Sequence, residues 1–120
     1  IKDLLNHYKF LDLVLDSSHI NQIKEKYKNE YNFSHYFKTF KDKVKEIQLS
    51  SNKNNYEKIF SKKFKTDHSL IILSDKKIFK ELMQIKGLRL TNIVIEGVVP
   101  FNYKGENLLS REIELYQKFR

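Results

Sequence analysis

The sequence contains no cysteine. That excludes a disulfide framework and any thiolate metal site, and it suits a reducing compartment inside the cell. One proline and three glycines leave almost nothing from which to build a Gly-rich phosphate loop. No Gly-x-Ser-x-Gly elbow occurs. Fully apolar runs are short, Leu70–Leu73 being one, so no membrane span is expected and no signal peptide is visible. Glycine and alanine are scarce while Lys and Asn abound, a bias of AT-rich genomes that accounts for part of the lysine excess.

What is present is enough for a core. Forty per cent of the 120 residues are apolar and thirteen per cent aromatic, which argues against disorder and for one domain. The chain starts at Ile1 rather than Met, so residues 1–120 are read as one domain excised from a longer protein. Net charge is +8 and unevenly spread. Between Lys38 and Lys65, nine Lys face only Asp42, Glu46 and Glu57. Such a stretch attracts nucleic acid, polyphosphate or an acidic protein, with Lys41, Lys45, Lys62, Lys63 and Lys65 as candidate DNA contacts. The plainer reading of the same stretch is a solvated lysine face.

Periodicity predicts the elements. Lys2–Tyr8 reads as a short helix. Phe10–Leu15 reads as a strand with Leu11, Leu13 and Leu15 on one side. Ser18 is expected to cap a helix burying Ile20, Ile23, Tyr27 and Tyr31. Ser34 is expected to cap another, with Phe37, Phe40, Val44 and Ile47 as its stripe, although Val44–Leu49 also reads as a short strand. Ser50–Asn55 reads as an exposed loop. Tyr56, Ile59, Phe60 and Phe64 make a further amphipathic piece. Ser69–Leu73 has the β-branched character of a central parallel strand. Ser74 then caps a helix to about Lys86, with Asp75 in its first turn, a stripe of Ile78, Phe79, Leu82, Met83 and Ile85, and Gly87 closing it. Leu88–Ile95 completes a βαβ unit, expected to be right-handed. After a loop marked by Pro100 and Gly105, Ser110 caps a last helix with Glu112 early and Ile113, Tyr116 and Phe119 inward.

Catalytic and metal chemistry is hard to assemble from these residues. His7, His19, His35 and His68 include no i, i+4 pair, so no metal and no cofactor are expected. Asp16, Asp67, Asp75 and Glu96 can be grouped as a nuclease-like carboxylate set, but Asp75 is already explained as a helix-start residue. Aromatics near the basic stretch can stack on single strands, yet helical spacing assigns most of them to a core. No enzyme is expected.

The order of elements carries a resemblance. A strand ending in Asp16-Ser17-Ser18 precedes a helix. Thr66-Asp67-His68-Ser69-Leu70-Ile71-Ile72-Leu73 follows, then Lys77–Lys86 with Gly87, then Leu90–Ile95, and finally Gly105-Glu106-Asn107-Leu108-Leu109-Ser110-Arg111-Glu112-Ile113-Glu114-Leu115-Tyr116. This resembles a BRCT domain over about Phe10–Tyr116. The pattern departs from the family at the missing Trp, with Ile95 near its place, at the missing Gly-Gly pair after the first helix, and at Ser17-Ser18 where Ser-Gly is common. The resemblance implies an α/β fold with a small central parallel sheet flanked by helices. Residues 1–9 would be a leading helix and 10–117 the BRCT-like core. A helix ahead of such a core is similar to the arrangement in a chromatin-silencing scaffold. That implies a nuclear, non-catalytic module docking short peptide motifs of other nuclear proteins. In the phosphopeptide-binding branch, the phosphate-holding hydroxyl falls here on Ser17 or Ser18 and the lysine on Lys76 or Lys77. A basic nucleic-acid-binding domain is the alternative.

Overall fold

A computed structural model describes residues 1–53, 66, 68–71, 76–87, 91–98 and 108–117, the side chain of Lys76 excepted. Among them lie five helices and three strands: α1 Lys2–His7, β1 Leu13–Asp16, α2 Ser17–Tyr27, α3 Phe33–Thr39, β2 Val44–Leu49, α4 Lys76–Met83, β3 Asn92–Ile95 and α5 Leu108–Gln117. The strands form one sheet in the order β1-β2-β3. Both pairings are parallel, with Leu15 opposite Ile47, and Ile47 opposite Ile93. The α/β class, the parallel sheet flanked by helices and the leading helix are all as expected.

The centre of the sheet is not where periodicity put it. Residues 44–49 form β2, the central strand, rather than the end of a helix. Spacings of three and four from Phe37 to Ile47 imitate a helical stripe, but the stripe spans two elements. Val44 N donates to Phe40 O in the turn closing α3, and the chain then runs extended. Val44 and Ile47 are β-branched, and pairing on both edges outweighs the local pattern. Of the expected central strand at Ser69–Leu73, residues 69–71 are described and are not paired into the sheet. Ser69 makes an isolated antiparallel bridge to Ser51, and Ile71 already has helical backbone. The βαβ unit therefore runs from β2 through α4 to β3.

Three caps are corrected in the same way. Asp16, not Ser18, caps α2, its Oδ1 accepting from His19 N at 3.0 Å. A carboxylate at this end also meets the helix dipole. Asn32, not Ser34, caps α3. Ser34 N instead donates to Glu81 Oε1 at 2.8 Å, which ties α3 to α4. Ser110 lies inside α5, which starts at Leu108. Residues 72–75, with the expected cap Ser74 and Asp75, lie outside the described residues, as do Tyr56–Phe64, Pro100, Gly105 and Phe119.

The core joins Leu15, Phe33, Phe37, Val44, Ile47, Leu49, Ile71, Ile78, Leu82, Ile85 and Tyr116. On α2 the expected buried stripe fails beyond Ile20: Ile23, Tyr27 and Tyr31 are exposed. On α4, Ile78 and Leu82 are buried as expected and Met83 is not. On α5 the inward column is Leu108, Glu112 and Tyr116, four residues apart, which leaves Ile113 outside. Gly87 takes φ +86, the left-handed conformation expected of it. Lys43 Nζ donates to Lys9 O and Leu11 O, fastening the segment after α1 to the start of β2.

Candidate functional site

The C-terminal ends of β1 and β2 carry buried serines. Ser17 Oγ donates to Ser50 O at 2.7 Å and accepts from Ser50 N at 3.1 Å. Its hydroxyl is thus spent joining the start of α2 to the end of β2. Ser18 Oγ accepts from Gln22 Nε2 at 3.3 Å. Both serines are fully buried. Neither hydroxyl faces solvent, so the two residues singled out by the BRCT resemblance act here as internal fasteners.

Lys77 is placed differently. It is exposed in the first turn of α4 and faces a cleft of about 400 Å³ between α2 and α4. Lys24 and Lys28 line the same cleft from α2, and Lys53 lines it from the segment after β2. Glu25, Glu30 and Glu81 also line it. Two of these carboxylates already have internal partners: Glu81 accepts from Ser34 N and Glu25 from Asn52 Nδ2. A hydrogen bond from a neutral N–H leaves a carboxylate its charge, so four lysines face three glutamates in this cleft. Lys24 and Lys28 are four residues apart and project on one side of α2, a spacing that the sequence contains. That Lys53 and Lys77 meet them is a long-range fact with no local signal. Lys76 begins α4, and its side chain lies outside the described residues.

The basic stretch divides. Lys41 and Lys45 line a groove with Phe37, Val44, Gly87 and Asn92, and Asp42 lies among them. Lys38, Lys41 and Lys86 line a neighbouring groove of about 260 Å³. Lys62, Lys63 and Lys65 lie outside the described residues.

A third cluster joins residues far apart in sequence. One ligand atom from each of Asp16, His19 and His68 lies within 4.8 Å of the others. Glu96 Oε2 is 3.8 Å from His68 Nε2. Of the nuclease-like carboxylate set, Asp16 and Glu96 both lie near His68, and Asp67 and Asp75 lie outside the described residues.

Among the described residues, Glu112 and Tyr116 form a buried ionisable pair. Glu112 Oε1 accepts from Ile71 N at 3.0 Å and from Tyr116 OH at 2.5 Å. Burial first, then the neighbouring Glu112 charge and hydrogen bond, push the Tyr116 phenol far above its ordinary value. The sequence places Glu112 early in the last helix, with no sign that it is buried. It is instead a buried acceptor stapling α5 to the segment at Ile71.

Among the described residues, no helix is long and apolar enough to cross a membrane. Comparisons with family models, with curated proteins and with solved structures found no match.

Proposed function

We propose that this chain is a non-catalytic docking module whose α2–α4 cleft takes a short acidic or phosphorylated peptide of a partner protein. The observation carrying this reading is the convergence of Lys24, Lys28, Lys53 and Lys77 on one cleft about 400 Å³ in volume. Four ammonium groups from three segments suit an extended peptide bearing several negative charges, because each lysine reaches a separate carboxylate or phosphate. The serines Ser17 and Ser18 take no part, being buried. The phosphate would then be held by lysines rather than by a hydroxyl. The BRCT resemblance supports the same class of function and, through its leading helix, a nuclear scaffold as the setting.

Calorimetric titration of an acidic phosphopeptide into the wild type and into a Lys24→Glu, Lys77→Glu double variant tests this. Charge reversal should weaken binding by at least about a hundredfold, as expected when two attractive contacts become repulsive. Equal affinity in the two proteins overturns the reading.

Lys38, Lys41, Lys45 and Lys86 line two adjoining grooves that share Phe37 and Lys41, and this favours a second reading, DNA binding by that face. It predicts an affinity for duplex DNA that falls steeply between 50 and 200 mM salt, by about tenfold or more for a few phosphate contacts. Absence of any mobility shift at low salt removes it.

A further inference from the structure

We infer that Asp16, His19, His68 and Glu96 form a binding site for a divalent transition-metal ion, with zinc the ion they fit best. This is independent of the peptide cleft and uses none of its lysines.

The donor set comes first. Two imidazoles are borderline ligands that magnesium and calcium, whose sites are built of oxygen, take up poorly, and zinc accepts imidazole and carboxylate together. Tetrahedral coordination at about 2.0–2.1 Å places donor atoms roughly 3.3 Å apart. The Asp16, His19 and His68 donors lie within 4.8 Å of one another and form the heart of the site, and Glu96 joins it through His68, its Oε2 lying 3.8 Å from His68 Nε2.

The donors are also held in place by their own elements. Asp16 caps α2 with Oδ1, accepting from His19 N, while Oδ2 meets His19 Nδ1. His68 is fixed on both sides of its backbone: its N–H donates to Thr66 Oγ1 at 3.0 Å, and its carbonyl accepts from Val98 N at 2.7 Å. Glu96 N donates to Leu49 O, which extends the β2–β3 pairing past the end of β3. The His19 and His68 rings meet edge-to-face with centroids 5.5 Å apart. All four side chains keep some solvent exposure, from 17% at Asp16 to 56% at His19, so an ion can enter and a water can complete its shell.

A bound ion would join the end of β1, the first turn of α2, the segment at His68 and the residue after β3. In a chain without cysteine it would be a cross-link between segments that are distant in sequence. It would act on stability, since it binds the folded chain and not the separated segments.

The test uses the untagged protein, stripped with EDTA and dialysed. Zn²⁺ is titrated against a chromophoric chelator, and Co²⁺ is followed by its visible absorption, which is intense in tetrahedral sites. One equivalent should bind, raise the melting temperature and perturb the ring resonances of His19 and His68 in NMR spectra. His19→Ala and His68→Ala should each weaken binding at least tenfold, while His35→Ala should leave it unchanged. Glu96→Gln, which does not depend on either ring, should weaken it as well. Absence of saturable binding overturns the site. So does wild-type affinity in the His19→Ala and His68→Ala proteins. Should those variants fail to fold, wild-type His19 and His68 resonances that do not move with Zn²⁺ overturn it equally.

Discussion

A Cβ at Gly97 would come within 2.9 Å of Leu70 Cα, and Leu70 is fully buried backbone and side chain alike. Backbone cannot swing aside as a flexible side chain can, so Gly97→Ala is expected to destabilise by about 1–3 kcal/mol, the usual cost of overpacking. A urea midpoint indistinguishable from wild type would refute that close approach. Lys28 ends α2 in the left-handed conformation at φ 51 without being glycine. Lys28→Gly should therefore stabilise the fold by roughly 1 kcal/mol while removing one cation from the α2–α4 cleft. Stability and peptide affinity should move in opposite directions in that one variant. Tyr116 makes a pH prediction. Its phenol is raised in the folded chain, so the folded state keeps a proton that the unfolded state loses above its ordinary value near pH 10. The contribution is present below about pH 10 and is lost as pH rises further, by about 1.4 kcal/mol per pH unit. Tyr116→Phe should flatten that alkaline decline in denaturation measured from pH 9 to 11, although the lost hydroxyl would leave Glu112 one donor short.

At the scale of elements, β2 holds the most interactions. It pairs on both edges, and Val44, Ile47 and Leu49 are all buried. Its amides should exchange with deuterium more slowly than those of α1, whose buried contribution is Leu5 alone. Ile47→Ala should cost about 2–5 kcal/mol, since the side chain is fully buried in the middle of the sheet. An equally fast exchange in β2 and α1 would show that the sheet is not the stable unit. The elements also separate what was legible from what was not. The leading helix, α4 with its Ile78 and Leu82, and the positive φ at Gly87 follow from local signals of spacing and residue type. The strand at Val44–Leu49 was visible only as a second reading. Helical spacing carried over from Phe37 hid it, and no glycine or proline marks the turn at Phe40–Lys43. Capping was misplaced three times because Ser18, Ser34 and Ser110 are each good local caps that tertiary packing used otherwise or passed over.

At the scale of the whole molecule, the described lysines gather in two places, the α2–α4 cleft and the grooves around Lys41. The α2–α4 cleft has its lysines partly offset by Glu25, Glu30 and Glu81, whereas among the described residues the grooves around Lys38, Lys41 and Lys86 have Asp42 as their only lining acid. Raising salt from 50 to 300 mM should therefore weaken DNA binding at the second face more than peptide binding at the first, because dispersed phosphate contacts depend more heavily on released counterions than a few close ion pairs do. Paired titrations of both ligands would show it.

Composition and periodicity alone determined the α/β class, the excess of positive charge and the supply of branched and aromatic side chains for a core. Those properties follow from residue types and short-range spacing. Only the tertiary structure decided which strand is central, that Ser17 and Ser18 are buried fasteners, that Lys24, Lys28, Lys53 and Lys77 share a cleft, and that His19 and His68 meet between Asp16 and Glu96. Each is a meeting of side chains from distant segments. Parallel pairing brings the ends of β1, β2 and β3 to one edge, and no local pattern records which residues will face one another there.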